Sequence, residues 1–466
     1  MKTTKSPGSA SDTPCLVAPH PKVAKQIRER SEELRMKGPF GLADSMQLSS
    51  DLGLPIIEPG RIGFNDGSFY PPATGPAGLG MASAAAPVAP PSTGKRHVLV
   101  LLVDFPDVKG KQTSQHFDDL LFGKGTATAP TLKTYYDQAS SGQLKVTGKV
   151  VGWLRLPSKL KAYTAGQSAT GTYPNNGQKL VEDAIDAAVA AGVNFSKFDL
   201  DGDGSLDGLI VVHAGSGAEA ETSAAKRPNL IWSHKWAISA ARKRNGVTIW
   251  SYTLQPEDGR VGVFCHEFGH FLGLPDLYDT TNRSEGVGEW CLMGAGSWGG
   301  KGDRPTHMSA WCRLQLGWSK VTAINGKKVA QKLAPAHTNG PILKLGMSGG
   351  PANECFLLEC RQKAGIDAAL PGEGLLVWHI DDGVHGNTNP LRYQVGLVQA
   401  DGKRDLEFMA NRGDAGDPFP GSAGSKAFDD TSSPSSRTYA GQQSGVGVRN
   451  IAVAANGSAQ ADVEAP

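Results

Sequence analysis

The chain has 466 residues, and its 47 Lys and Arg residues against 45 Asp and Glu residues give a formal net charge of +2. This length fits one large enzyme domain with additions or several average domains, and the balanced charge excludes a single-sign surface of the kind that binds nucleic acid. The 59 glycines and 30 prolines exceed the usual combined share of roughly 12% and indicate many turns between short elements.

No segment predicts a membrane span. The longest apolar run near the start of a candidate element, residues 98–103, is far shorter than the roughly 18 residues that a membrane helix needs. The N-terminus carries early lysines but no apolar h-region, so no secretory signal peptide is expected in this sequence. The 6 cysteines are too sparse for a disulfide scaffold in a chain of this length.

Residues 1–95 are predicted to be an accessory segment. An amphipathic helix is expected around residues 21–37, followed by a loop-rich tract. Residues 70–94 are nearly free of charge and rich in Pro, Ala and Gly, a composition that favours an extended linker over a packed element.

Strands and helices alternate from residue 96 to about residue 320, which predicts a catalytic-size α/β or α+β domain. The run HVLVLLVDF is short, apolar and β-branched, as in a buried strand. A helix is expected over Lys179 to Gly192, where the glycine ends it, and a central strand over Gly208 to Gly217.

An acidic loop precedes that central strand. Asp199, Asp201, Asp203 and Asp207, with a glycine at Gly204, form the pattern DxDxDGxxD. Alternating aspartates on a tight loop direct oxygens inward, and a cage of hard oxygens suits Ca²⁺ better than zinc. The sequence therefore predicts a structural calcium site, with a solvated acidic turn as the alternative.

The segment 261–279 contains HExxH, with His266, Glu267 and His270. On a helix, residues i and i+4 share one face, so both imidazoles can reach one zinc ion while the glutamate flanks its open position. The alternative is a buried helix with two core histidines.

The third ligand is expected just beyond the helix. Gly273 can end the helix with a positive φ, Pro275 prevents its resumption, and the chain then returns Asp276 to the metal. The extended pattern is HExxHxxGxxD, and two imidazoles with one carboxylate form a standard catalytic zinc site. Weaker candidates for the third ligand are Asp279, Glu285 and Glu289. Tyr278 is a candidate donor to the reacting oxygen, or a cap of the turn.

Some 20 residues later, Met293 lies in a glycine-rich turn, GVGEWCLMGAGSWGG. This segment resembles the Met-turn of metzincin peptidases, which places a methionine beneath the metal. The difference is Asp276, where metzincins carry a histidine.

Beyond residue 320 the sequence consists of short apolar runs separated by Gly, Pro, Asn and Asp turns, such as ECFLLECR and GEGLLVWHID. This pattern predicts a β-rich C-terminal domain over residues 321–466, of the β-sandwich type.

The sequence resembles the immune inhibitor A family of bacterial metallopeptidases. HEFGHFLGLPDLYD is similar to the zinc motif of that family, and the likeness extends to LVDFPD, YYDQASSGQL, DLDGDGSLDGLIVVHAG, IWSHKW, LMGAGSW, GLLVWHID, QADGKRDL and GDPFPG. These segments run from about residue 97 to about residue 450. In the family the aspartate of the motif is the third zinc ligand.

The resemblance implies a zincin-like α+β catalytic domain over residues 96–320, with a mixed sheet and an active-site helix. It also implies a leading pro-region, bound calcium, a trailing β-rich domain and export as a zymogen. We expect a monomer that acts on protein or peptide substrates. The absence of a visible leader is the clearest departure from the family, which is mostly exported.

The expected reaction is peptide-bond hydrolysis by a zinc-activated water, with Glu267 as general base. The alternative is a non-catalytic, calcium-stabilised adhesion or carbohydrate-binding protein with a vestigial peptidase domain. An intact Glu267 argues against that alternative. A thiolate from Cys15, in the expected pro-region, could occupy the fourth zinc position, although a lone cysteine there is more often incidental.

Overall fold

The computed structural model describes residues 14–56, 92–126 and 128–466. Residues 70–91 of the predicted linker lie outside these ranges. Among the residues that are described, no helix is both long and apolar enough to cross a membrane.

The described residues form nine α-helices and fourteen strands. The helices are α1 (Pro21–Arg35), α2 (Leu42–Asp51), α3 (Ser114–Phe122), α4 (Leu132–Ala139), α5 (Leu160–Thr164), α6 (Gly177–Ala190), α7 (Val261–Phe271), α8 (Ala310–Gln315) and α9 (Asp405–Phe408). The strands are β1 (Cys15–Leu16), β2 (Gly94–Asp104), β3 (Leu144–Arg155), β4 (Leu209–His213), β5 (His234–Arg244), β6 (Val247–Pro256), β7 (Val321–Ile324), β8 (Gly326–Leu333), β9 (Ile342–Gly346), β10 (Glu354–Arg361), β11 (Gly374–Asp381), β12 (Val395–Val398), β13 (Gly447–Val453) and β14 (Ala459–Ala465). The predicted helices at 21–37 and 179–192 correspond to α1 and α6, with the ends shifted by at most two residues.

The first sheet has the strand order β1-β5-β6-β4-β2-β3. Strands β3, β2, β4 and β6 are parallel to one another, whereas β5 is antiparallel to β6 and β1 is antiparallel to β5. Together with the flanking helices this makes a mixed sheet in an α+β arrangement, which confirms the expected architecture of the first part of the chain.

Strand β2 is continuously apolar because both of its faces are covered. Val98, Val100 and Leu102 pack in one apolar cluster with residues of α4 and α7. The alternate residues Leu99 and Leu101 pack in another with residues of α6. Successive side chains of a strand point to opposite faces, so a strand covered on both sides needs no polar alternation.

The part of the chain after residue 320 is β-rich. One sheet has the order β12-β11-β10-β9-β7 and a second has the order β13-β14-β8. Both contribute to one apolar cluster, with Phe356 and Val377 from the first sheet and Val448 and Val463 from the second. That these two sheets form a separate β-sandwich domain stays a prediction.

The other face of the five-stranded sheet packs against the first part of the chain. Leu357 of β10 and Trp378 of β11 belong to the same cluster as Trp290, Trp311 and helix α7. The core beneath α7 is therefore continuous with the C-terminal strands.

Buried charges connect the same two regions. Glu359 accepts hydrogen bonds from Arg313 at 2.7 Å and from the indole of Trp378 at 2.8 Å. Arg361 donates two hydrogen bonds to Asp367, at 2.8 and 2.6 Å. Because these groups are almost fully buried, each charge depends on its partner for the solvation that water would otherwise supply.

We predict that Arg361→Ala lowers the free energy of unfolding by about 3–5 kcal/mol, because it leaves the Asp367 carboxylate buried without its cation. Urea unfolding followed by tryptophan fluorescence measures the change. Arg449→Ala is the matched control: that side chain is 46% exposed and pairs with Asp429 and Glu464 at the surface, so its loss should cost no more than about 1 kcal/mol. Equal effects of the two substitutions would contradict the prediction.

Candidate metal centre

Helix α7 carries the HExxH motif through the interior, and all of its residues are buried. Gly273 ends it with φ +89°, and the amide of Leu274 donates back to the carbonyl of Gly269 at 3.3 Å. A residue with a side chain is strained at this φ. The reversal directs the following segment back along the helix and brings Asp276 beside the two histidines.

The three predicted ligands converge. His266 Nε2 lies 3.0 Å from Asp276 Oδ1, and His270 Nε2 lies 3.3 Å from the same oxygen. The two Nε2 atoms are 3.2 Å apart. One nitrogen from each ring and one carboxylate oxygen thus form a nearly equilateral triangle.

This triangle has the dimensions of one face of a zinc tetrahedron. Bonds of about 2.0–2.1 Å to nitrogen and oxygen ligands place neighbouring ligand atoms about 3.3 Å apart. The other oxygen of Asp276, Oδ2, is buried and has no hydrogen-bond partner among the described residues. Because two imidazoles and a carboxylate are also the donor types of catalytic zinc sites, the residues present fit Zn²⁺.

Backbone carbonyls orient both rings. The Nδ1 of His266 lies 2.9 Å from the carbonyl oxygen of Leu292, and the Nδ1 of His270 lies 2.7 Å from that of Leu274. A proton on each Nδ1 donates to its carbonyl and leaves Nε2 with a lone pair, as in metal-binding histidines.

Burial and mutual charge shape the protonation of the triad. Burial disfavours the charged form of His266, but the hydrogen bond and charge of Asp276 outweigh it, and the pKa of His266 is raised. Burial likewise opposes ionisation of Asp276, and the two histidines outweigh it and lower the pKa of Asp276. The carboxylate therefore favours a cation in this space, either a proton on a ring or a metal ion.

Glu267 is buried beside the triad. Burial raises the pKa of Glu267 well above its ordinary value, and the charges of Asp276 and Glu219 add to that effect, whereas Lys235 opposes it. Neither carboxylate oxygen has a hydrogen-bond partner of normal geometry among the described residues. A raised pKa makes the Glu267 carboxylate a stronger proton acceptor than an ordinary glutamate, as a general base must be.

The weaker candidates for the third ligand are engaged elsewhere. Asp279 accepts hydrogen bonds from Thr281 and Ser284. Glu285 pairs with Arg28 at 3.0 Å and with Arg412 at 2.8 Å. Neither acid lies with the two histidines. Among the described residues, Glu289 is likewise not part of any cluster of side chains that could hold a metal ion.

Met293 lies in a tight turn under the helix. The amide of Gly294 donates to the carbonyl of Cys291 at 2.9 Å, which closes the turn. A Cβ placed on Gly269 of α7 would lie only 2.6 Å from Met293 Sδ, so the thioether packs directly against the helix backbone between the two histidines. That Met293 forms the Met-turn of a metal site stays a prediction.

Sequence reasoning missed a backbone group at this site. The carbonyl oxygen of Leu16 lies 3.3 Å from His266 Nε2, and the hydroxyl of Tyr278 donates to it at 2.9 Å. A main-chain carbonyl leaves no signal in a sequence, and only the path of the chain places it here. The tyrosine, which was a minor candidate, therefore faces the site.

The acidic loop is only partly assembled as predicted. Oxygens of Asp199, Asp201 and Asp203 lie within 4.8 Å of one another. Asp207 is not in that group: its Oδ1 lies 3.6 Å from the guanidinium of Arg96, which is also 3.8 Å from Asp201.

Asp207 instead stabilises the loop through hydrogen bonds to its backbone and to the neighbouring strand. Its Oδ2 accepts hydrogen bonds from the backbone amides of His97, at 2.7 Å, and Leu200, at 3.2 Å. Burial raises the pKa of Asp207 to about 6. The first amide belongs to β2, so this aspartate ties the loop to the central sheet.

Comparison with known proteins relates part of the chain to a family of peptidases. Residues 89–320 match the profile of the family described as immune inhibitor A peptidase M6, catalytic domain. The chain is 36% identical over 267 residues to Immune inhibitor A of Bacillus thuringiensis subsp. alesti, an alignment that covers 46% of this chain and 38% of the relative. It is 32% identical over 270 residues to Pre-pro-metalloprotease PrtV of Vibrio cholerae serotype O1 (strain M66-2), covering 47% of this chain and 29% of that protein. The aligned part thus spans well under half of these relatives.

Proposed function

The chain belongs, through residues 89–320, to the immune inhibitor A peptidase family, and on that premise we propose that it is a zinc-dependent endopeptidase that hydrolyses peptide bonds of proteins. The observation that carries the proposal is the buried triangle of His266, His270 and Asp276, with Glu267 beside it. A set of convergent metal ligands next to a carboxyl group of raised pKa is what metal-assisted hydrolysis requires.

When bound, Zn²⁺ supplies Lewis acidity, which polarises the peptide carbonyl and lowers the pKa of the attacking water. Glu267 acts as general base: it takes the proton from that water and passes it to the leaving amine. Burial and the charge of Asp276 raise the pKa of Tyr278 well above its ordinary value. The phenol therefore stays protonated and donates to the carbonyl oxygen as negative charge develops there.

Strand β5 supports the assignment of an extended peptide as substrate. It forms the edge of the sheet next to α7, apart from the two-residue β1. An exposed strand edge binds an extended chain by main-chain hydrogen bonds and leaves the side chains to pockets. Protein and peptide substrates fit this edge. The proposal also includes a pro-region over residues 1–95, secretion of the protein as a zymogen, and activity as a monomer.

We further propose that the acidic loop binds a structural Ca²⁺ through Asp199, Asp201 and Asp203, whose oxygens already lie together. Three carboxylates in one loop suit a hard divalent cation. The sequence pattern predicts Asp207 as a further calcium ligand. To reach the ion, its carboxylate would have to break its contact with the guanidinium of Arg96.

We predict that Glu267→Ala abolishes casein hydrolysis, with a loss of at least about 10²-fold because the general base is removed, while the fold and zinc content stay normal. Zinc content and hydrolysis are measured on samples from which the leading segment has been removed. The control, Glu464→Ala, removes a carboxylate at the surface and should leave both values unchanged. Full activity of Glu267→Ala at normal zinc loading would refute the mechanism.

For the third ligand, Asp276→Asn should weaken zinc binding by at least about 10-fold, since it removes the only anionic ligand of the triangle. Zinc retention is measured by elemental analysis after dialysis against a graded series of chelator concentrations. Asp279→Asn is the matched control, because this aspartate is equally buried but bonded to Thr281 and Ser284. Equal retention by the two variants would remove Asp276 from the site.

For the calcium loop, we expect Ca²⁺ to raise the melting temperature and EGTA to reverse the rise. A ligand present at 100 times its Kd adds about 2.7 kcal/mol to the folded state. Asp203→Asn should abolish the increase in melting temperature that Ca²⁺ causes. Asp207→Asn should keep this increase if Asp207 only holds the loop in place and does not bind the ion. No shift of the wild-type protein on adding EGTA or Ca²⁺ would exclude the site.

A further inference from the structure

The leading segment of the chain crosses the metal centre. Residues 15–18 are buried, and β1 pairs antiparallel with β5, with Cys15 opposite Lys235 and Leu16 opposite His234. The amide of Val17 continues the pairing by donating to the carbonyl of Ser233 at 3.1 Å. The segment therefore occupies the strand edge that is proposed to receive substrate.

Two tryptophans hold the same segment in place by hydrogen bonds. The indole of Trp232 donates to the carbonyl of Val17 at 2.9 Å, and the indole of Trp298 donates to the carbonyl of Ala18 at 2.7 Å. Together with the pairing to β5, these bonds fix the backbone from Cys15 to Ala18 next to the metal triad.

The side chain of Cys15 reaches the triad itself. Its Sγ, a ring nitrogen of His270 and a carboxylate oxygen of Asp276 all lie within 4.8 Å of one another. The residue is not in a disulfide with any other described cysteine. A second observation also indicates that a metal ion belongs here. Asp276 Oδ2 is fully buried and has no hydrogen-bond partner among the described residues.

We propose that the thiolate of Cys15 is the fourth ligand of the zinc ion held by His266, His270 and Asp276, and that this bond keeps the full-length chain inactive. The proposal rests on the proposed zinc peptidase function. A fourth protein ligand closes the position that an attacking water needs, which is the difference between a structural and a catalytic zinc site.

Charge favours the thiolate over the nearby carbonyl of Leu16. One thiolate and one carboxylate neutralise Zn²⁺, whereas a neutral carbonyl would leave a net positive charge in a fully buried space, which is costly. Thiolate is also the softer ligand and the one that zinc prefers. The Leu16 carbonyl is already the acceptor of the Tyr278 hydroxyl.

Helix α1 anchors the segment from behind. Arg28 of α1 pairs with Glu285 at 3.0 Å, and Glu285 also binds Arg412, which donates to the carbonyl of Pro19 at 2.9 Å. Because the thiolate is tethered in this way, water competes with an intramolecular ligand of high effective concentration. When the anchor is cut, the thiolate leaves, takes a proton from solvent, and water enters its position.

Zinc K-edge X-ray absorption of the full-length, zinc-loaded chain tests the proposal directly. We expect one sulfur at about 2.3 Å in addition to nitrogen and oxygen at about 2.0–2.1 Å. Cys15→Ala should lose the sulfur, and Cys355→Ala, which removes a buried thiol of β10, should keep it. A wild-type shell of nitrogen and oxygen alone would overturn the proposal and would leave Leu16 or water as the fourth ligand.

Casein hydrolysis separates this proposal from the proposed function. Full-length Cys15→Ala should be at least about 10-fold more active than the wild type and Cys355→Ala, although the segment still covers the strand edge. If the wild type is active after removal of the leading segment but shows no zinc–sulfur bond, the latency proposal fails alone. If the sulfur is present and the processed, zinc-loaded protein remains inactive, the proposed peptidase function fails instead.

Discussion

The arrangement depends on one buried carboxylate that faces two imidazoles. Asp276 Oδ1 lies 3.0 Å from His266 Nε2 and 3.3 Å from His270 Nε2, in a space from which water is excluded. A buried anion of this kind is stable only beside a cation. The site therefore favours a positive charge, and a zinc ion would satisfy the two rings and the carboxylate at the same time.

The surrounding structure serves that constraint. The carbonyls of Leu292 and Leu274 set the ring orientations, and the turn at Met293 packs so closely under the helix that a Cβ on Gly269 would lie only 2.6 Å from Met293 Sδ. The C-terminal strands complete the packing from below, because Trp378 and Leu357 share a core with α7. A preorganised site needs such support, since small displacements of its ligands weaken both metal binding and catalysis.

The leading segment adds a second constraint on the same metal position. Its backbone is paired with β5 and hydrogen bonded to Trp232 and Trp298, so it uses the interactions that an extended substrate would use. Under the proposed function, substrate and leading segment would exclude each other, because both would occupy one strand edge.

The sequence by itself determined the helix with the HExxH motif, the aspartate after it and several of the strands, such as β10 at Glu354–Arg361. These features depend on local spacing: i and i+4 on a helix, a glycine of positive φ, and short apolar runs between turns. The mixed sheet and the site of Met293 followed from resemblance to a family. Only the tertiary structure decided that Asp207 lies against Arg96 rather than with the other loop aspartates, and that Leu16 meets His266 from 250 residues away. Such contacts arise from the path of the whole chain, which no local pattern of residues encodes.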